Sequence, residues 1–491
     1  MRTIFHVAII NIFFLVGVSE LMAQAPDTIW TKAYGLDHHE VGQCIKSTND
    51  GNYIIAGSNH STSFGGYDAY LMKINPNGDS LWARHYGSTE TEMGVFVVQN
   101  DNGGYFLLGN FDVYAPYSPR DIYLVKTDSL GYLLQQSYYG GSEDDFAYQI
   151  KSLSNGNYVI VGTTESFGSG DYDIWLLYLD SAGDTLWTKT IGSQYMELGC
   201  AIDQTSDGGF IVAGSINDLN PYGEDFYIVK TDSLGNAIWT KTYGYESTDR
   251  VNDIKETPDG GFITVGFAGW PNNPTWDFYV LKLDSNGDSL WSEHFGGLVD
   301  SRANSVQITD DGNYVVAGEF YNVVDNRVEA FVVCFNPSGD TLWTKSLYRG
   351  IRTRGNSICQ TDVGGYLITG ITTIFYENDW QVDLYLAMLG PDITEVDNNE
   401  SIRLPNDLVV GNYPNPFNAT TTIKYSLFED SEVTIAIYDI LGQNVANLVQ
   451  EKQQAGNHQI TWDAKDCPSG VYFYRLLADN LSRTSKMVLL K

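Results

Sequence analysis

A hairpin-like segment that recurs along most of the chain sets the strongest limit on its fold. Residues 225–244, DFYIVKTDSLGNAIWTKTYG, combine a β-rich run, a turn-forming DSLG segment and a run of alternating apolar and polar residues, as in a β-hairpin. The tryptophan of the last run recurs about every 52 residues, with one leucine among its counterparts. The series comprises Trp30, Trp82, Leu134, Trp187, Trp239, Trp291 and Trp343. Such a repeat predicts a ring or an array of similar units instead of one large core.

Two other series keep the same period and give the number of repeats. A glycine closes a run upstream of each hairpin, at Gly57, Gly109, Gly162, Gly214, Gly266, Gly318 and Gly370. An acidic residue opens each hairpin, at Asp68, Asp121, Asp173, Asp225, Asp277, Glu329 and Asp383. Both series indicate seven repeats.

Each repeat contains four predicted strands. In the fourth repeat they span residues 199–204, 210–213, 226–230 and 237–243, and a Ser-Asp-Gly-Gly turn joins the first two. Four antiparallel strands repeated around an axis are typical of a β-propeller blade. The sequence therefore predicts an all-β fold for residues 27–390, a seven-bladed β-propeller with four-stranded blades.

The N-terminal strand is predicted to close this ring. Residues 27–35, DTIWTKAYG, match the fourth strand of a repeat, yet no first three strands precede them. The seventh repeat has the opposite defect, since it ends after its third strand at Met388. The N-terminal strand should therefore pair with residues 384–388 and complete the last blade, which covers two otherwise free sheet edges.

The N-terminus indicates export. Residues 1–23 combine Arg2, an apolar run from Val7 to Val18 and a small residue at Ala23, the pattern of a cleaved signal peptide. No later apolar run approaches the roughly 20 residues of a membrane-spanning helix, so we expect no transmembrane segment in the mature chain. The five cysteines lack paired spacing, which favours buried free thiols over a disulfide framework.

The charge of the chain limits its partners. With 61 acidic and 28 basic residues, the formal net charge is -33. This balance argues against binding to nucleic acid and favours solubility or the binding of cations such as Ca²⁺.

The repeat pattern ends near residue 390, and a second domain follows. Residues 391–408 are polar and acidic, which predicts a linker. Within residues 409–491, short alternating runs at 421–427, 432–440, 458–462, 470–477 and 485–490 predict a small β-sandwich.

Several motifs of this second domain resemble a known family. NYPNPFN at residues 412–418, YDILGQ at 438–443, SGVYFYRL at 469–476 and the terminal MVLLK are similar to the type A C-terminal sorting domain of the type IX secretion system. The motif residues are Asn412, Pro414, Asn415, Pro416, Phe417, Asn418, Tyr438, Asp439, Gly442, Gly470 and Tyr472.

The resemblance implies an immunoglobulin-like domain that engages the type IX secretion machinery. Such a domain directs a protein from the periplasm across an outer membrane of the Bacteroidetes type, and a sortase-like peptidase usually removes it. The implied location is the medium or the outer cell surface. From the residues alone, a carbohydrate-binding or merely structural sandwich is the alternative.

One face of the predicted ring carries candidate ligand-binding residues. The loops that lead into each first strand and those that join second and third strands emerge on the same side of a propeller. Acids recur in the first set of loops, at Glu40, Glu92, Asp145, Glu197, Asp249 and Asp300. The second set adds aromatic residues, among them Trp270, Trp276 and Trp380. Carboxylates beside aromatic rings suit a sugar polymer or a cation-bridged glycan. The alternative is that the acids only solvate the loops.

The sequence contains no catalytic motif and no metal-ligand cluster that we can assign. The turn DSNGDSLW at 284–291 is similar to the tryptophan-bearing repeat of quinoprotein dehydrogenases, but the adjacent cysteines that stack the quinone there are missing. We therefore predict no cofactor and assign the tryptophans to packing between blades. The leading hypothesis is a module that binds a polysaccharide or protein ligand. The others are a glycan-active enzyme with paired carboxylates and a structural surface-layer component.

Overall fold

The computed structural model describes residues 25–35, 39–60, 66–112, 118–217, 223–244, 247–270, 273–296, 300–322, 325–376, 379–392, 409–413, 417–427, 431–439, 443–454, 456–478 and 481–489. All regular elements within these ranges are β-strands. The chain divides into two compact units between Thr394 and Glu395.

The N-terminal unit begins with β1 (Thr28–Tyr34) and continues with successive antiparallel groups of strands. Sheet 1 contains β2 (Glu40–Ser47), β3 (Tyr53–His60), β4 (Tyr67–Ile74) and β5 (Ser80–Tyr86). Sheet 2 contains β6 (Thr91–Gln99), β7 (Tyr105–Asp112), β8 (Arg120–Thr127) and β9 (Leu133–Tyr139). Sheet 3 contains β10 (Asp145–Ser152), β11 (Tyr158–Thr164), β12 (Asp173–Leu179) and β13 (Thr185–Ile191). Sheet 4 contains β14 (Met196–Gln204), β15 (Phe210–Asn217), β16 (Asp225–Thr231) and β17 (Ala237–Tyr243).

The remaining groups repeat this order. Sheet 5 contains β18 (Arg250–Glu256), β19 (Phe262–Trp270), β20 (Asn273–Leu283) and β21 (Ser289–Phe295). Sheet 6 contains β22 (Ser301–Ile308), β23 (Tyr314–Asn322), β24 (Arg327–Phe335) and β25 (Thr341–Leu347). Sheet 7 contains β26 (Arg352–Gln360), β27 (Tyr366–Tyr376), β28 (Asp379–Leu389) and β1. Sheets 6 and 7 are joined by one parallel residue pair, Val328 with Arg352.

Burial explains why the strands of one sheet differ in sequence. The middle strands are covered on both faces and read as apolar runs, as in β11, whose seven residues are all buried. The fourth strands lie at the outer edge and alternate, as in β17, where exposed and partly exposed residues follow one another.

The predicted pairing of the N-terminal strand is confirmed. β1 runs antiparallel to β28, with Trp30 opposite Met388 and Tyr34 opposite Leu384. Sheets 1 and 7 also share a packed core, to which Ile55 and Leu386 belong. Between the two sheets, Asn356 Nδ2 donates a hydrogen bond of 2.9 Å to the carbonyl of Gly42. The first and last sheets are therefore direct neighbours.

The tryptophans of the repeat pack between sheets, as predicted. Five of the six lie against the turn glycine that joins the third and fourth strands of the next sheet, so that a Cβ on that glycine would fall about 3 Å from the indole ring. The pairs are Trp30 with Gly78, Trp82 with Gly131, Trp187 with Gly235, Trp239 with Gly287, and Trp291 with Gly339. Trp291 Nε1 additionally donates to the carbonyl of Pro337 at 3.1 Å.

The turns between third and fourth strands satisfy their own polar groups. In the turn of sheet 5, Asp284 Oδ1 accepts hydrogen bonds of 2.8 Å from the amides of Asn286 and Asp288. Gly287 has a φ of 80°, which favours glycine. The ladder shifts register beside this turn, between Lys282 and Leu283. The predicted bulged hairpin turn therefore uses its carboxylate internally.

The C-terminal unit has two antiparallel sheets with a core between them. One sheet contains β29 (Val409–Tyr413), β30 (Thr420–Leu427) and β33 (Gly456–Asp463). The other contains β31 (Ser431–Tyr438), β32 (Asn444–Gln453), β34 (Gly470–Ala478) and β35 (Leu481–Leu489). Ile423 and Trp462 from the first sheet share the core with Ile435 and Tyr474 from the second. The sequence analysis missed β29 and β32. β32 is mostly exposed and half polar, so its alternation is weak.

All five cysteines are free thiols, but Cys200 and Cys467 are only partly buried, whereas burial was predicted for all. Cys44, Cys334 and Cys359 are buried in the cores of the N-terminal unit.

Candidate ligand-binding face

The antiparallel order of each sheet defines two ends of the N-terminal unit. The turns between first and second strands and between third and fourth strands lie at one end. The loops that lead into each first strand and those that join second and third strands lie at the other, which we call the loop face. All six acids predicted to bind ligand lie on the loop face.

Four of these acids are buried, and loop groups hydrogen-bond to their carboxylates. Glu92 accepts from Ser88 Oγ at 2.6 Å and from the Ser88 amide at 3.2 Å, and Glu197 makes the same two contacts with Ser193. Asp145 accepts from the Gly141 amide and from Ser166 Oγ, both at 2.8 Å. Asp249 accepts from the Gly269 amide at 2.8 Å.

The structure places these four carboxylates in contact with groups of the chain itself, away from solvent. The acids are buried, so their carboxylates need donors, and the amides and hydroxyls of the adjoining loops supply them. Glu40 is partly buried, and Asp300 is exposed, with Oδ1 accepting from the Trp276 amide at 3.1 Å. Of the six acids, Asp300 is the one that the structure leaves exposed.

Several buried acids lie close to a second carboxylate from the adjoining sheet. Asp173 opens β12, and Glu197 lies in β14 of the next sheet. Burial raises the pKa of Asp173, and the charge of Glu197 adds to the rise. Burial also raises the pKa of Glu92, which lies near Asp68 in the same way. Both Asp68 and Asp145 have a buried Oδ1 without a hydrogen-bond partner among the described residues.

The predicted aromatic residues lie on loops or strand ends of the same face. Trp276 is partly exposed, with its ring centroid 5.4 Å from that of Phe267. Trp380 is 50 % exposed and forms an aromatic pair with Phe375, which is 55 % exposed, at 5.0 Å between centroids. The backbone of Trp270 ends β19, and its side chain lies outside the described residues.

A narrow cavity of about 130 Å³ lies among the first strands of all seven sheets. Its lining is polar and includes Gln43, Gln149, Asn252, Asn304 and Asn356. The asparagines donate across to neighbouring sheets, Asn252 to the carbonyl of Ala303 at 2.8 Å and Asn304 to that of Gly355 at 2.9 Å. Cys200 also lines the cavity, and burial raises the pKa of its thiol to about 12. A protonated thiol is a poor nucleophile, so this cavity has no evident reactive group there.

Within the part of the chain that the structure describes, no group of three or more His, Cys, Asp or Glu side chains is arranged to hold a metal ion. In that part, no helix is long and apolar enough to cross a membrane.

The motif residues of the C-terminal unit serve its core and turns. Phe417 is buried, with its ring centroid 5.6 Å from that of Trp462, and Tyr472 donates to the carbonyl of Pro468 at 2.9 Å. Asp439 Oδ1 accepts from the Gln443 amide at 2.9 Å. Tyr438 ends β31, Gly470 begins β34, Asn418 is exposed, and Asn412 lies in β29. Pro414, Asn415, Pro416 and Gly442 lie outside the described residues.

Sequence analysis missed the arginines of the loop face. Arg302, Arg352 and Arg354 surround Glu319 where sheets 6 and 7 meet. A comparison of equivalent positions among the repeats would have revealed them, since sheets 1 to 4 carry apolar residues where Arg302 and Arg354 occur.

Fold and motifs together define an all-β repeat protein of the propeller type with a C-terminal sorting domain. Residues 412–490 match the secretion system C-terminal sorting domain family, and residues 309–341 match a β-propeller domain of unknown function, DUF5122. The sorting domain and the propeller suspected from sequence are thereby confirmed. Such a sorting domain implies export to the medium or the cell surface.

Two curated relatives are distant. The regulatory protein FlaEY of Caulobacter vibrioides is 23% identical over 207 residues, which cover 36% of this chain and 21% of FlaEY. The uncharacterized WD repeat-containing protein L264 of Acanthamoeba polyphaga mimivirus is 20% identical over 401 residues, which cover 66% of this chain and 28% of L264. The chain thus spans less than a third of either relative.

A solved structure of similar extent is a fungal alcohol oxidase of the AA5 family in complex with copper. It is 11% identical, with 95% of this chain and 100% of that chain covered, and the TM-score is 0.44. A similarity at this level gives no ground for assigning its activity here.

Proposed function

We propose that this protein is a secreted or cell-surface seven-bladed β-propeller that binds a polysaccharide or protein ligand through its loop face. A signal peptide at residues 1–23 starts export into the periplasm, the propeller occupies residues 27–390, and a linker covers 391–408. Residues 409–491 form an immunoglobulin-like sorting domain that engages the type IX secretion machinery. The sorting-domain match supports the export route.

The exposed pair of Phe375 and Trp380 carries the binding half of this proposal. Large aromatic side chains are usually buried, and two exposed rings 5.0 Å apart offer an apolar platform to a ligand. The buried acids favour binding over hydrolysis, because a glycosidase needs two carboxylates facing its substrate. Ser88, Ser193 and the loop amides already bind the carboxylates of Glu92, Glu197 and Asp145.

A binding screen tests the proposal. The mature chain is assayed against arrays of polysaccharides and surface proteins, beside a Phe375→Ala/Trp380→Ala variant. We expect the variant to lose about tenfold or more in affinity, since covering one large apolar side chain contributes about 1.5–3 kcal/mol. Tyr132→Ala is the matched control, because Tyr132 is equally exposed on a turn at the opposite end. Self-association of a wild type that binds no ligand would contradict the proposal and favour a structural surface-layer component.

Calcium remains a prediction of the acidic composition. A cation that binds only the folded state raises the melting temperature, and the rise grows with the logarithm of the cation concentration once this exceeds the dissociation constant. Melting curves in excess Ca²⁺ and in EGTA measure this directly. Identical melting curves in Ca²⁺ and in EGTA would contradict calcium binding by the folded chain.

A further inference from the structure

The repeats reveal one part of the loop face that differs from the rest. In the first strand of each sheet, one position directly follows that of the loop acid, which is Glu40 in sheet 1. The residue at this position is apolar in sheets 1 to 4 and arginine in sheets 5 to 7. The series is Val41, Met93, Phe146, Leu198, Arg250, Arg302 and Arg354. Sheets 6 and 7 also have Ser301 and Thr353 where earlier sheets have the loop acid, and in sheet 6 an acid, Asp300, stands one place earlier. In a chain of net charge -33, this is a local reversal of charge.

Three arginines share one carboxylate at this place, and we call them the arginine cluster: Arg302, Arg352 and Arg354. Arg354 Nε lies 2.5 Å from Glu319 Oε2, Arg352 Nη2 lies 3.7 Å from the same oxygen, and Arg302 Nε lies 3.9 Å from Oε1. The Glu319 side chain is only 7 % exposed, whereas all three arginines reach solvent. Even with Glu319 and Asp300 both ionised, the group keeps a positive charge.

The cluster has unused hydrogen-bond donors. Each guanidinium carries five N–H donors, and a carboxylate can accept only a few of them. The one carboxylate of Glu319 therefore cannot accept hydrogen bonds from all the donors of the three arginines. Two other arginines of the loop face are better satisfied. Arg250 binds both oxygens of Glu224 at 2.7 and 2.6 Å, and Arg327 binds Glu329 and Asp325 at 2.7 and 2.9 Å.

Aromatic rings border the cluster on two sides. The Arg302 guanidinium lies 4.8 Å from the ring of Trp276. On the other side, Arg352 is paired with Thr373 in β27, and the exposed Phe375 follows two residues further along the same face of that strand. Guanidinium groups bind carboxylate and sulfate oxygens in pairs, and aromatic rings stack on the apolar face of a sugar.

We propose that the arginine cluster binds the carboxylate or sulfate groups of an acidic polysaccharide, whose sugar rings lie on the aromatic pair Phe375 and Trp380. This inference rests on the proposed function, because it names the ligand class of the same face. The shared chemistry is an oxyanion on a sugar, which a uronate or a sulfate ester supplies equally well.

Affinity measurements on the mature chain test the inference. The probes are polygalacturonate, dextran sulfate and neutral dextran at physiological ionic strength. We expect the wild type to bind at least one acidic polymer and not neutral dextran. Arg352→Gln/Arg354→Gln should weaken that binding about tenfold or more, because it removes two charges and their charge-assisted hydrogen bonds to the oxyanion. Arg120→Gln is the matched control, since Arg120 is also half-exposed on the loop face but pairs with Asp112 and Asp144. It should bind as the wild type does.

A second variant moves affinity in the opposite direction. Glu319→Gln removes the carboxylate that competes with the ligand, so binding of the acidic polymer should become several-fold tighter. If the arginine cluster only stabilised the loop face, both variants should weaken binding, because both would lose packing contacts. Melting curves of both variants confirm that they are folded.

The outcomes separate this inference from the proposed function. Binding of polygalacturonate but not of dextran sulfate would identify the ligand group as a uronate. Binding of dextran sulfate but not of polygalacturonate would identify it as a sulfate ester. Equal binding by wild type and by Arg352→Gln/Arg354→Gln overturns the inference, as does equal binding of polyglutamate, which would show a preference for charge without sugar. A wild type that binds a neutral polymer through Phe375 and Trp380, and ignores the acidic ones, keeps the proposed function and refutes the arginine site.

Discussion

Two carboxylates from neighbouring sheets meet at Gly192. A Cβ at this position would overlap Asp173 Oδ1 and lie 3.0 Å from Glu197 Oε2, so only glycine fits there. Glycines 35, 140 and 244 occupy equivalent places, each between the acid that opens a third strand and the acid of the following loop. The Tyr-Gly or Ile-Gly pairs that end four of the fourth strands, at residues 34–35, 139–140, 191–192 and 243–244, thus reflect this close approach.

Asp173→Asn should stabilise the N-terminal unit at high pH. Burial, with the charge of Glu197, raises the pKa of Asp173 in the folded state. The folded state therefore binds the proton more tightly, and the stability that it contributes is lost as pH rises through the folded pKa. We expect the variant to melt above the wild type at pH 8 and close to it at pH 4, by differential scanning calorimetry. A variant that melts below the wild type at pH 8 would contradict this assignment.

Trp239→Ala should destabilise the N-terminal unit by about 3 kcal/mol, because it removes a large side chain packed between two sheets. Trp239 lies against Gly287 of the next sheet and is 6.0 Å from Phe262 between ring centroids. Urea unfolding measures the loss. Leu234→Ala serves as the control, since Leu234 is 63 % exposed on a nearby turn and should leave the free energy of unfolding unchanged.

At the scale of elements, β1 decides whether the last sheet is complete. It pairs with β28 over six residue pairs, from Thr28 opposite Leu389 to Tyr34 opposite Leu384. Without β1, the apolar edge of β28 would be free to pair with another chain.

Removal of residues 24–35 should therefore lower the melting temperature and promote aggregation. Light scattering during thermal unfolding follows both effects. The control chain begins at residue 24, after the predicted signal peptide, and retains β1. If the shortened chain melted like the control and stayed monomeric, strand closure would not contribute to stability.

The elements also show which features of sequence predict structure. The period of the tryptophans indicated where strands recur, because the same packing contact is needed at every sheet interface. The second strand of the fourth repeat was predicted over 210–213 and extends to Asn217, since polar residues at its end still pair with β14. The loop acids were placed correctly along the chain, but their burial depends on loop conformation, which their spacing does not encode. The arginine cluster depends on contact between sheets 6 and 7 and was missed.

At the scale of the whole molecule, each of the two units has a core of its own. Among the described residues, the core of the C-terminal unit is built from side chains between Phe417 and Leu489. Deletion of residues 409–491 should therefore leave the thermal unfolding of the N-terminal unit nearly unchanged. Calorimetry of the full chain and of the shortened chain makes the comparison. Loss of the main transition in the shortened chain would show that the two units fold as one.

Export through the C-terminal unit is the central claim, and localisation in a cell with a type IX secretion system tests it most directly. The full chain and a chain without residues 409–491 are expressed there, and immunoblots of medium, surface and periplasmic fractions are compared. We expect the full chain in the medium or on the surface, and the shortened chain folded but retained in the periplasm. Export of the shortened chain at the level of the full chain would contradict the account.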